Sequence, residues 1–211
     1  LRDITQTTRE NLELSLSSLV DEGYILAFSK NQQINSLTSI KFTHDRIQQA
    51  AYQIKSGTPV ELIHYHIACY YLQSHHENKQ TSSIEEPSTF QASKHEHIFD
   101  FIEHLNLSSR LFIEVQQQSL LAQYNQLAGQ KAFESNAYES ALHYFAQADQ
   151  FLNKNHWQSQ YELSMTIKIG QANCYYSTHL YSEAYTFFEQ LVPQTKTIKD
   201  NVNIHKVQVL S

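Results

Sequence analysis

Glycine and proline are scarce in this chain: four Gly and three Pro in 211 residues. Few chain punctuators beside abundant Gln, Leu, Ala and Tyr point to a mostly helical protein. Cysteine is almost absent. Cys69 and Cys174 stand alone inside helical stretches, which excludes a disulfide framework and a Cys-based zinc site and suits a reducing compartment. No apolar run approaches the roughly 18–20 residues that cross a bilayer, and no signal-peptide pattern is present. Basic clusters are missing too. Fifteen Lys and Arg against 21 Asp and Glu leave a net charge of −6, the wrong balance for gripping nucleic-acid phosphates. The chain starts at Leu1 rather than Met and stops at Ser211 without a closing signal. Together these features read as a soluble, cytoplasmic piece of a larger protein.

Nucleotide and hydrolase signatures are also lacking. There is no G-x-x-x-x-G-K-[ST] loop, no G-x-S-x-G, no H-E-x-x-H and no Cys–His nucleophile spacing. The expectation is a non-enzymatic segment with no cofactor and no metal of its own. Twelve histidines invite a metal reading, but His64 and His66, like His95 and His97, are spaced i,i+2. That spacing turns two imidazoles to different sides of a helix, whereas tetrahedral zinc needs three or four converging ligands.

What is present falls into three parts. Residues 1–57 carry a helix over 9–21, with Leu12, Leu16, Leu19 and Val20 at helical spacing, stopped by Gly23 as a left-handed C-terminal residue. β-Rich stretches 24–30 and 40–42 flank a polar tip and predict a hairpin, and a helix then leaves from "KFTHDRIQQAAYQI" (41–54). That order is the order of a winged-helix unit. At its seam Thr43 is placed to cap the last helix and Asp45 to favour its dipole. Ile47, Ala50, Ala51 and Ile54 form its expected buried face.

Residues 58–108 read as connecting helices. Thr58 is a cap, Pro59 the first helical residue, and Leu62, Ile63, His66, Ile67, Tyr70 and Tyr71 the buried stripe; a polar loop follows near 75–94. Residues 109–211 are nearly continuous helix with an internal repeat. Tyr138, Ala141 and Phe145 recur at an offset of 43 as Tyr181, Ala184 and Phe188, with Gly129 and Ala172 twelve positions before the two alanines. Small residues at these positions let two helices approach while a Phe fills the gap, which is the pattern of a tetratricopeptide helix pair. The tetratricopeptide Trp position is Asn125 and the Pro position Asn153. An offset above 34 calls for longer helices around 155–169. The aromatic stretches 69–73 and 174–188 read as core. The fold class is mainly α: a small winged-helix-like unit with a β-hairpin, then an α-solenoid of tetratricopeptide-like helix pairs.

On these residues a resemblance rests. The run from His44 to Tyr52 inside "GYI…KFTHDRIQQAAYQI", with "HYHIACYYL", "IFDFIEHLNLSSRLF" and "LAQYNQLAGQKAFESNAYESALHYFAQADQFL", resembles the segment after the ATPase module in multidomain bacterial signalling proteins. Those proteins join a Ser/Thr-kinase-like domain, a signal-transduction ATPase and often a sensor histidine kinase. The resemblance covers about residues 12–191. It implies that ATP and Mg belong to an upstream module, which this segment contacts in cis through the coupling residues His44, Asp45 and Arg46. In relatives of this class a histidine of the winged-helix unit contacts nucleotide phosphates; the resemblance does not assign that role to His44. The repeats would bind protein or peptide. By repeat geometry the groove would present Gln123, Gln126, Gln130, Asn173 and Tyr176, amides suited to an extended backbone. The composition also allows a homodimer.

A winged-helix DNA-binding regulator is the alternative from a different class. Its helix would carry Arg9 but also Glu10, Glu13 and Asp21, and its wing only Lys30 and Lys41.

Overall fold

Thr8 opens the first helix, its Oγ1 accepting the Asn11 N–H at 3.4 Å, and α1 runs Arg9–Asp21 as the spacing predicts. This is a computed structural model, and it describes residues 8–29, 37–54, 59–73 and 98–197. The expected cap at Thr58, the polar loop 75–94, His95, His97 and the last stretch from 198 lie outside those residues. Among the described residues the protein is mainly α, with nine α-helices and one two-stranded antiparallel hairpin.

Gly23 does stop α1 from the left-handed region, at φ +75°. Its N–H goes to the Val20 carbonyl (3.0 Å) and the Tyr24 N–H to Leu19 (2.9 Å), a Schellman motif that satisfies two terminal carbonyls. Strands β1 (Ile25–Ser29) and β2 (Leu37–Phe42) pair with Ile25 opposite Phe42 and Ala27 opposite Ile40. Helix α2 (Asp45–Gln53) then leaves from His44.

Two expectations at this seam are corrected. Thr43 does not cap α2; its hydroxyl donates to the Gly23 (2.8 Å) and Tyr24 (3.0 Å) carbonyls, stitching β2 to the end of α1. Nor does α2 bury a face. It has no buried residue: Ile47 is half-buried, Ala50 and Ala51 are exposed, and Ile54 is 72% exposed. The reason is positional, since the main packing of α2 is against β2 and no layer covers its other side among the described residues.

The larger body starts with α3 (Val60–Gln73) and α4 (Ile98–Leu107), which pack on each other and, through α4, on α5 (Val115–Glu134). Helix α3 begins one residue later than expected, the Pro59 carbonyl accepting from Leu62 and Ile63. Among its residues of described burial, His64, Ala68 and Cys69 are buried, while His66 and Ile67 are half-buried and Tyr70 is exposed. Around Ala68 gather Phe101, Ile102 and Leu105 of α4, Phe112, and Leu121 and Tyr124 of α5, with Phe101 and Tyr124 edge-on at 5.0 Å.

Helices α6 (Tyr138–Gln150), α7 (His156–Ser159), α8 (Tyr161–Ser177) and α9 (Tyr181–Leu191) complete the body. Helix α6 lies against both α5 and α8, α8 also against α9, and α5 touches α8 directly. The 43-residue offset holds at atomic level. Helices α5 and α8 both end in Schellman motifs on left-handed non-glycine residues, Asn136 (φ 61°) and His179 (φ 63°). The residues that follow, Ala137 and Leu180, have φ −86°, ψ 66° and φ −87°, ψ 65°. Ala141 and Ala184, and Phe145 and Phe188, are buried in equivalent places. The extra length does not make 155–169 one long helix. The chain breaks at Gln160 (φ −140°, ψ 42°), and the surplus forms α7 and its flanking turns.

Candidate functional site

Two sets of residues stand out from the sequence, and a third only from the structure. The first is the seam. His44 precedes α2 with extended backbone (φ −144°, ψ 144°), and its carbonyl receives Ile47 (3.0 Å) and Gln48 (3.2 Å). Its imidazole makes no capping bond. His44, Asp45 and Arg46 are all exposed, as a surface for another body requires. Apolar side chains of the same unit are exposed as well: Tyr52 and Ile54 of α2, Phe42 and Leu26 of the hairpin, and Leu14, Leu19 and Val20 of α1. Among the residues of this unit whose burial is described, Ile25 is the buried hydrophobic one.

The second set is the amide row. Gln123, Gln126 and Gln130 lie on α5, Asn173 and Tyr176 on the contacting α8. Part of the row is occupied internally. Gln123 donates to Ser119 Oγ (3.4 Å), Gln130 donates to Glu134 Oε1 (2.9 Å), and the Tyr176 ring meets Tyr181 edge-on at 5.2 Å. Both glutamine bonds are i,i+4 contacts on one helix, the exchangeable kind. Asn173 differs. Its Oδ1 and the Oε1 of neighbouring Gln171 are buried without a hydrogen-bond partner among the described residues, and an unmade buried bond costs about 1–3 kcal/mol.

Other polar groups are absorbed into structure. Asn125, the Trp position of the repeat pattern, is fully buried and exchanges two amide bonds with Asn106 of α4 (2.8 and 2.7 Å), also donating to Leu121 O (2.9 Å). Asn153 accepts the Asn155 N–H at 2.8 Å and shapes the turn before α7. Lys168 pairs with Asp149 at 2.8 Å across α8 and α6. Burial pushes the Cys174 thiol up to about 12 and raises Cys69, so both stay protonated at neutral pH. The aromatic stretches are core only in part. Phe188 is buried, but Tyr181 and Tyr185 stand exposed.

The third set joins α3 and α4. His64 Nδ1 and His104 Nδ1 are 2.8 Å apart, with ring centroids at 5.0 Å. Tyr71 stacks on the His104 ring at 6.2 Å. Burial lowers the pKa of both histidines, against the pull of Glu103 and Glu61 on His64 and of Glu103 and Asp100 on His104; a charged His64 also lowers His104. Sequence reasoning set His64 beside His66, its nearest neighbour in sequence. The true partner is 40 residues away. Among the described residues no three potential ligands converge on one point, and no helix is long and apolar enough to cross a membrane.

Compared with family models, with curated proteins and with solved structures, the chain finds no match.

Proposed function

We propose that this chain is a regulatory, non-catalytic segment of a multidomain signalling ATPase or kinase. Its helix–hairpin–helix unit, read as winged-helix-like, docks in cis on an upstream nucleotide-binding module. Its helical pairs, read as tetratricopeptide-like, bind protein or peptide. The observation that carries the first part is the uncovered apolar surface of the N-terminal unit. Ile25 aside, its large hydrophobic side chains of described burial stay partly or largely in water, from half-buried Leu12, Leu16, Ile40 and Ile47 to Leu14 at 69% and Ile54 at 72%. A lone hairpin is at best marginally stable, and full burial of each such side chain is worth about 1.5–3 kcal/mol. A covering domain would recover that energy, and His44, Asp45 and Arg46 would supply polar rim contacts beside it.

The repeat reading is supported by the shared turn geometry at Asn136 and His179 and by the packing order of α5, α6, α8 and α9. Peptide recognition is supported by the amide row, whose glutamines can trade internal bonds for a backbone and whose Asn173 oxygen lacks one. Duplex DNA fits this surface poorly, because Glu10, Asp21 and Glu22 of α1 and its end are exposed.

The test uses the Tyr52→Ser/Ile54→Ser variant. Both side chains are exposed, so the unfolding midpoint of this chain should not move. Its affinity for the separately expressed nucleotide-binding module should fall by about tenfold or more, since losing ~1.4 kcal/mol is tenfold. Unchanged affinity, or no binding by the unaltered chain, removes the docking reading. For the repeats, Gln126→Ala/Gln130→Ala should weaken peptide capture in a display selection while leaving circular dichroism unchanged. Undiminished capture counts against the amide row.

A further inference from the structure

The contact between His64 and His104 has a property that follows from valence. At 2.8 Å between Nδ1 atoms, one ring donates its N–H and the other accepts with a lone pair. Two neutral imidazoles satisfy this. One added proton does too, because it can reside on Nε2 of the donor ring and strengthen the bond. A second proton cannot be accommodated, since two N–H groups would then face each other with no acceptor between them.

We propose that His64 and His104 form a proton-operated clasp between α3 and α4: the closed clasp holds at most one added proton, and the second drives the two helices apart. The surroundings fit the role. His64 is only 7% exposed and His104 half-buried, so solvent does little to stabilise paired charges.

The groups around the clasp tune it without replacing it. Helix α3 supplies Glu61, Tyr65, His66, Cys69 and Tyr71, and α4 supplies Asp100 and Glu103; the 3-10 turn at 109–111 supplies Arg110, whose Nη1 is 3.5 Å from Glu61. From α5 comes Tyr124, and Tyr144 of α6 lies in the field of Glu103 and Asp100. Tyr65, Cys69, Tyr71 and Tyr144 are all shifted upward and stay neutral through the acid range. The three carboxylates favour the first proton; they supply no acceptor between the rings for the second.

The sign is fixed by linkage. Both histidines bind protons less readily folded than unfolded, so the α3–α4 contact is strongest above the ordinary histidine value of about 6.5 and weakens as pH falls below it. At pH 5.5 a histidine held wholly neutral disfavours the closed state by up to about tenfold.

Hydrogen exchange of the whole chain between pH 7.5 and 5.5, corrected for intrinsic rates, reads this directly. Protection in α3 and α4 should fall by about tenfold, while the centre of α6 and the C-terminal half of α8 hold theirs. In His64→Gln/His104→Gln the regional loss should vanish. Protection in α3 and α4 that ignores pH, or a loss that survives in the variant, overturns the clasp. Should the variant not fold, imidazole titration of the unaltered chain by NMR decides. Two separated steps, the second well below the first, are expected; independent curves at the ordinary value overturn it.

Discussion

Replacing Phe145 with alanine will cost about 3–5 kcal/mol of unfolding free energy, the largest loss expected of any single truncation in α5–α9. The ring is 1% exposed on α6 and is gripped from two sides. A Cβ built on Gly129 of α5 would meet its Cδ1, Cε1 and Cγ at 2.9 Å, and one built on Gly170 of α8 would meet Cζ at 2.5 Å. Three helices therefore close on one ring, and removing it leaves a cavity that helices pinned elsewhere cannot fill. Lys168 to Asp149 and Gln160 to Ser119 (2.6 Å) hold α8 against α6 and α5 independently of Phe145. Urea unfolding should show the midpoint falling with the m-value unchanged. A loss under ~1 kcal/mol would mean that the ring is not the keystone its contacts describe.

The second prediction changes sign with context. In a helix interior, Gly to Ala ordinarily stabilises by about 1 kcal/mol. Gly170→Ala should instead destabilise by about 1–3 kcal/mol, because the new methyl group would sit 2.5–2.7 Å from three carbons of the Phe145 ring. In the Phe145→Ala background the obstacle is gone, and the same change should become stabilising by up to ~1 kcal/mol. A double-mutant cycle should then give a coupling of about 1–4 kcal/mol. Additive effects would show that Phe145 and Gly170 do not share one space.

Sequence periodicity carried the local structure well where neighbours in the chain decide it. The bounds of α1, the left-handed Gly23, the hairpin and the 43-residue offset all rest on capping, alternation or repetition, signals contained within a few residues. What escaped was long-range. Helix α3 is apolar on most sides, so its pattern could not tell that His64, Ala68 and Cys69, rather than His66 and Ile67, face inward. Helix α2 is amphipathic by its sequence, which implies a buried face, yet burial needs a partner, and none covers it among the described residues. Thr43 was placed by the local rule for caps, whereas tertiary geometry gave it the two carbonyls at the end of α1. The His64–His104 pair and the Asn106–Asn125 exchange share this origin: each joins residues 19 or 40 positions apart, across helices whose register no periodicity reports. Of the amide row, position was legible and availability was not, since the bonds of Gln123 and Gln130 depend on rotamers.

The packing order of the helices has a consequence for how damage and repair travel. Apart from the contact of α5 with α8, the main contacts of α3 to α9 join helices adjacent in the chain or separated only by the single turn of α7. Short-range closure of this kind favours rapid assembly, and helices that contact mainly their chain neighbours exchange stability mainly with them. A lesion at α9 would fray that end and leave Ala68 and its surroundings intact, while acid opening at α3 would leave Phe188 in place. The molecule can thus yield at one end without erasing the memory of its shape at the other, and it can re-form from whichever end survives.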